Sequence, residues 1–118
     1  MNVLVLGASD NPSRYSVLAV HNLLMAGHNV WPVGVREAKV CGIDIITHQE
    51  PIEDIDLITM YINPDIQKEW YDYIFKVNPK KIIFNPGSEN DELAQMAREK
   101  GIEVIEACTL ILISDDCL

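Results

Sequence analysis

Residues 2–33 read NVLVLGASDNPSRYSVLAVHNLLMAGHNVWPV, and this stretch decides the fold. Asn2 to Leu6 is a short, chiefly apolar run that stops at Gly7, the pattern of a parallel strand buried on both faces. Ser13 to Ala26 then places Val17, Leu18, His21, Leu24 and Met25 largely on one helical face. Gly27 stands where a helix C-cap glycine belongs, and Asn29 to Val33 supplies a second strand. Strand, helix and strand joined this tightly predict a βαβ unit.

Outward from that unit the alternation continues. Val40 to Ile46 predicts a short strand or extended loop around Gly42, and Asp56 to Tyr61 predicts a third main strand. Asn63-Pro64 opens a helix expected to run to about Val77, with the proline suited to its first turn. Lys81 to Phe84 is the fourth strand, Asn90 to Lys100 a further helix closed by Gly101, and Glu103 to Ile105 the fifth strand. Leu110 to Ile113 is expected to add an edge strand. The whole of residues 1–118 therefore predicts one Rossmann-like, doubly wound α/β domain, its mainly parallel sheet covered by helices on both faces. In such a sheet the ligand crevice lies beyond the strand C-termini, at the switch point beside the first strand.

Composition narrows the partners. Nine basic against eighteen acidic residues give a formal charge of -9, which opposes nucleic-acid binding because phosphate neutralisation needs clustered Lys and Arg. No apolar run is long enough for a transmembrane helix, so no membrane partner is expected. The opening MNVLVLG lacks the basic and cleavage-site features of a secretory signal, and a cytoplasmic location is expected. Cys41, Cys108 and Cys117 form no CxxC pair, and with His21, His28 and His48 scattered among them no metal-ligand spacing arises.

The loops leaving the strand C-termini hold the candidate binding residues. In Gly7-Ala8-Ser9-Asp10-Asn11-Pro12 the glycine removes bulk, and the following helix offers unpaired N–H groups and the positive end of its dipole. Ser9 and Asn11, with Arg14 and Ser16 from the first helical turn, add polar contacts for a phosphate. The match to G-x-G-x-x-G is poor, since Ser9 and Pro12 replace two of the glycines, and a plain βα turn remains the alternative. At the end of strand two, Val33, Gly34 and Arg36 replace the acidic residue of an NAD site. An arginine there suits an extra ribose phosphate: the 3′-phosphate of coenzyme A or the 2′-phosphate of NADP. Tyr61, Asn63 and Pro64, and Pro86 with Gly87, leave the third and fourth strands and either line the same crevice or only turn the chain. Cys108 either faces the crevice or is an inert buried thiol. Trp70, Tyr71 and Tyr73, at helical spacing, have packing as their default role. No nucleophile–histidine pair and no carboxylate pair gives a catalytic constellation.

Gly7 to Ser16, followed by Leu23-Leu24-Met25-Ala26-Gly27-His28-Asn29-Val30-Trp31-Pro32-Val33, resembles the small stand-alone CoA-binding domain proteins of bacteria. Those in turn are similar to the CoA-binding domain of the succinyl-CoA synthetase alpha subunit. The likeness continues through Gly42, Asn85-Pro86-Gly87 and Ala97 to Ile105, and ends near Cys108. It implies coenzyme A across the strand C-termini, with its phosphates at Gly7-Ala8-Ser9 and its adenosine end near Val33 to Arg36. The chain departs from the family at Gly34-Val35, at Ile62-Asn63 where an arginine is common, and at Glu106-Ala107 before Cys108. The expected function is a non-catalytic CoA or acyl-CoA binding module. The alternatives are an NADP-binding redox sensor or oxidoreductase fragment, and a ligand-free homodimeric scaffold built on Leu110 to Ile113 and the helix aromatics.

Overall fold

A computed structural model describes residues 1–118. Strands β1 (Asn2–Leu6), β2 (Asn29–Val33), β5 (Leu57–Met60), β6 (Lys81–Phe84) and β7 (Glu103–Glu106) form one sheet in the order β2-β1-β5-β6-β7. Every pairing in it is parallel. The chain leaves β1 for β2 on one side and reaches β5 on the other, so the switch point falls between β1 and β5. This is the Rossmann-like architecture that the alternation of the sequence predicts.

Strand β1 shows why its apolar run has no polar face. Leu4 and Leu6 belong to a cluster with Ile74, Leu93 and Ala97, while Val3 and Val5 belong to another with Val20 and Leu23. Alternate side chains enter opposite cores, so both faces must be apolar. Helices α1 (Tyr15–Met25) and α5 (Thr109–Ser114) supply one covering layer. The other comes from α2 (Pro64–Gln67), α3 (Tyr71–Val77) and α4 (Asp91–Glu99). Helix α1 ends as Gly27 implies: its φ is +88°, and the His28 N–H returns 3.0 Å to the Leu23 carbonyl, a Schellman closure.

The fold departs from the sequence expectations in four places. On α1 the core side is Ser16, Ala19, Val20 and Leu23, while Leu18, His21 and Met25 of the expected apolar face lie exposed and Val17 and Leu24 half-buried, because the small and β-branched residues fit against the sheet. Residues 39–44 make an antiparallel hairpin, β3 (Lys39–Val40) and β4 (Ile43–Asp44), around Cys41 and Gly42. Both turn residues have positive φ, as a tight two-residue hairpin demands. The single helix expected over 63–77 is α2, a 3₁₀ turn at Lys68–Trp70, and α3. Buried Gln67 sits at that joint and donates to the carbonyls of Ile62 and Ser88, both at 2.7 Å.

The expected edge strand at Leu110 to Ile113 is instead part of helix α5. An apolar run of four cannot by its periodicity distinguish the two. What decides is the anchor at Thr109: its N–H donates to Asn85 Oδ1 at 2.8 Å, and its hydroxyl meets that of Thr59 at 2.8 Å. Those bonds carry the chain away from the β7 edge and back over the α1 face, where Leu112 and Ile113 pack.

Candidate functional site

Three loops meet at the C-terminal end of β1, and two glycines let them meet. Gly7 has φ +97°, and a Cβ there would sit 2.9 Å from Ile62 Cγ1 and 3.0 Å from the Tyr61 carbonyl carbon. Gly34 has no unusual φ, yet a Cβ on it would collide with the Ala8 carbonyl oxygen. The N–H groups of Gly7 and Ala8 both donate to the Val33 carbonyl, at 2.9 Å each. Both glycines thus serve the packing of backbone on backbone. The Gly7 and Ala8 amides are already spent on Val33, leaving those of Ser9 and Asp10 without an intramolecular partner.

Beyond Ala8 the chain is shaped by its own side chains. Ser9 Oγ accepts from the Asn11 N–H at 3.0 Å, which leaves the Ser9 hydroxyl hydrogen free to donate. Asn11 Oδ1 accepts from the Ser13 N–H at 3.1 Å and from the Ser13 hydroxyl at 2.8 Å. No side chain caps α1; the Val17 N–H bonds the Arg14 carbonyl at 3.1 Å, and the N–H groups of Tyr15 and Ser16 stay open. Neither Ser9 nor Asp10 caps this helix.

The other side is held by a buried polar lattice. Asn85 Nδ2 donates to Thr59 Oγ1 at 2.7 Å and to the Met60 carbonyl at 2.9 Å, while its Oδ1 takes the Thr109 N–H. The Ser88 hydroxyl closes back on the Asn85 carbonyl at 2.7 Å. Asn85 is therefore a structural bolt across the ends of β5, β6 and α5, while the Pro86-Gly87 turn beyond it faces outward. Tyr61 leans on the α1 side of the sheet with its hydroxyl buried among Thr59, Thr109 and Cys108 but not well hydrogen-bonded; burial pushes its pKa up to about 12.

Between these walls lies a cavity of about 750 Å³. It gathers Gly7, Ala8, Ser9, Asn11, Arg14, Ser16, Gly34, Arg36, Tyr61, Asn63, Pro86 and Gly87, twelve of the fourteen expected residues. Val33 is fully buried behind it and contributes its carbonyl to the loops; Pro64 opens α2 behind Asn63, whose side chain caps that helix. Cys108 is not among the lining residues. Trp70 is both core, 4% exposed, and cavity wall, while Ile66 on α2 adds an exposed apolar edge.

The only formally charged residues of the lining are Arg14, Arg36 and Asp10. Arg36 Nη2 lies 3.5 Å from Asp10 Oδ1 across the mouth, with the arginine 80% exposed. Nothing in the linear sequence marks Asp10, twenty-six positions away, as the counter-ion of Arg36; only the meeting of the two loops does. Ile66 and Trp70 are equally silent, because a helical apolar residue reads as core.

The profile of a CoA binding domain family matches residues 1–114. The chain belongs to that CoA-binding domain family. A solved structure of an uncharacterized protein superposes on this CoA-binding domain with a TM-score of 0.97 at 42% identity, covering 99% of this chain and 97% of the other. A conserved hypothetical protein from Pyrococcus furiosus aligns at 25% identity and TM-score 0.82, covering 93% and 97%. A dinucleotide-forming acetyl-coenzyme A synthetase from Ca. Korarchaeum cryptofilum shares the fold at 20% identity and TM-score 0.73. There the CoA-binding domain aligns over 92% of its own length and 25% of the synthetase chain. No functionally curated protein matches the chain. No helix is long and apolar enough to cross a membrane.

Proposed function

We propose that this CoA-binding domain binds coenzyme A or an acyl-CoA as a non-catalytic module, with its ligand in the crevice at the β1–β5 switch point. The observation that carries the reading is the first turn: free Ser9 and Asp10 amides face an uncapped helix start beside Arg14 and Arg36. Anions are held by such N–H groups together with the helix dipole. The fit is good in size too, since about 750 Å³ lies within the usual range of ligand cavities. Ser9, Asn11, Arg14 and Ser16 would hold the phosphates, and Arg36 the 3′-phosphate. Exposed Val35, with Ala38 and Ile45, offers an apolar ledge for the adenine, and Asn63, Pro86 and Gly87 flank the remaining length.

A second reading, NADP, rests on the same Arg36, which suits a 2′-phosphate as well. Calorimetric titration with CoA, dephospho-CoA, NADP and NAD separates the two. Binding of CoA that weakens on loss of the 3′-phosphate or in Arg36→Ala, by about 1.5–3 kcal/mol in either case, is the expected result. Heat with NADP and none with CoA would transfer the site to redox nucleotides, and silence with all four would end both readings.

A further inference from the structure

We infer that the outer surface of α1 and α5 is a contact face for a second copy of this chain. Helix α1 runs from Tyr15 to Met25 without a single Lys, Arg, Asp or Glu, and α5 runs from Thr109 to Ser114 in the same way. Across the chain 23% of residues are charged, and the helices on the opposite sheet face carry Asp65, Lys76, Glu92 and Arg98 among others. Charge is thus segregated between the two covering layers.

The two uncharged helices pack side by side, and Val17 and Leu24 of α1 share an apolar cluster with Leu112 and Ile113 of α5. Outward from that seam Leu18 is 47% exposed, Met25 75% and Ile111 59%. A helix apolar on all sides belongs inside a core, and one left half in water marks a face that something covers. With Tyr15 at the crevice lip, these side chains expose roughly 500 Å². Half-buried Val17, Leu24 and Leu110 and exposed His21 carry the face toward the ~800 Å² that each partner of a standard interface covers.

A second copy fits this face better than another partner does. The chain carries a net charge of -9, so two copies repel wherever acidic surface meets acidic surface. The helical surface of this layer is where they can meet with the fewest carboxylates, Asp115 and Asp116 standing exposed only past the C-terminal end of α5. A basic partner would find no counter-charge on it, and a lipid surface would require basic residues it lacks. Two neighbouring uncharged helices also suit a two-fold axis, which would stack α1 and α5 on their own copies as a four-helix layer.

Sedimentation equilibrium of the full chain from about 1 to 100 μM, without ligand, tests the face independently of what the crevice binds. A dimer is expected, held or strengthened by added salt as the repulsion between acidic copies is screened. Met25→Glu and Ile111→Glu are each expected to raise its dissociation constant about tenfold or more, by burying a like-charge pair at the axis. Both positions are exposed, so thermal melts should show the fold kept, and Met25→Leu should keep the dimer. A monomer throughout that range, or a dimer indifferent to both glutamates, would overturn the inference.

Discussion

Gly34→Ala adds one methyl group where two loops of the crevice touch. The backbone φ at Gly34 is ordinary, so alanine is strained there only by what its Cβ meets, and it meets the Ala8 carbonyl oxygen, with Ile45 Cγ2 3.3 Å away. Relief requires the Ala8 peptide or the Gly34 strand end to move. Overpacking of this kind costs about 1–3 kcal/mol. Movement of the Ala8 peptide would also weaken the two N–H bonds from Gly7 and Ala8 to the Val33 carbonyl, worth about 1 kcal/mol each. A loss of roughly 2–4 kcal/mol is therefore expected, against a total stability on the order of 6–18 kcal/mol for a domain of this length. At about 4 °C per kcal/mol that becomes a drop in Tm of roughly 8–16 °C. Gly42→Ala is the control: its φ is +79° but nothing lies within 4 Å of the added Cβ, so only the left-handed penalty of about 1–2 kcal/mol applies. Scanning calorimetry of both variants decides the matter. If Gly34→Ala melts within about 2 °C of the parent, or no lower than Gly42→Ala, the loops are not locked by backbone contact as described.

Asn85→Ala removes three buried side-chain hydrogen bonds and orphans the Thr109 N–H; a loss of about 2–4 kcal/mol in urea unfolding is expected, and less than 1 would show that water replaces the bolt. The Tyr73 hydroxyl is buried without a partner, and burial pushes its pKa up to about 12, as it does for Tyr61. Because the folded values lie above the ordinary 10, the native state holds its phenolic protons longer than the unfolded chain, and stability falls as pH rises from about 10 to 12. Tyr73→Phe should make that alkaline limb shallower, Tyr61 keeping its own share, and leave stability at neutral pH equal or up to about 1 kcal/mol higher; a clear loss at pH 7 would mean the hydroxyl has a partner. If the crevice binds CoA, Asp10→Asn frees Arg36 and removes a carboxylate beside the phosphates; affinity should rise roughly two- to fivefold in calorimetry, an effect shrinking with salt, and unchanged or weaker binding would refute it.

Much of the fold was legible because it rests on local periodicity. Strand β1 must be apolar on both faces to sit in the middle of a parallel sheet, and Gly27 and Gly101 end their helices through a backbone geometry glycine adopts freely. The same logic places the β1–α1, β2, β5 and β6 loops at one end of the sheet, so most of the crevice lining could be named without coordinates. What failed was decided by contacts distant in sequence. Leu110 to Ile113 became a helix because Thr109 is bonded to Thr59 and Asn85, and the helix after Asn63 is broken where Gln67 reaches Ile62 and Ser88.

By itself, then, the sequence determined the alternation of strands and helices, the doubly wound sheet and the family. The alternation and the sheet follow from residue spacing along a chain whose short apolar runs leave few other ways to be buried, and the family from the likeness carried by Gly7 to Val33. Only the tertiary structure decided what each residue is for. Gly7 and Gly34 admit a neighbouring backbone, Asn85 bolts three elements together, and Asp10 faces Arg36. Each of those roles depends on which atoms a crossing loop brings within a few ångströms, and no local pattern encodes that proximity.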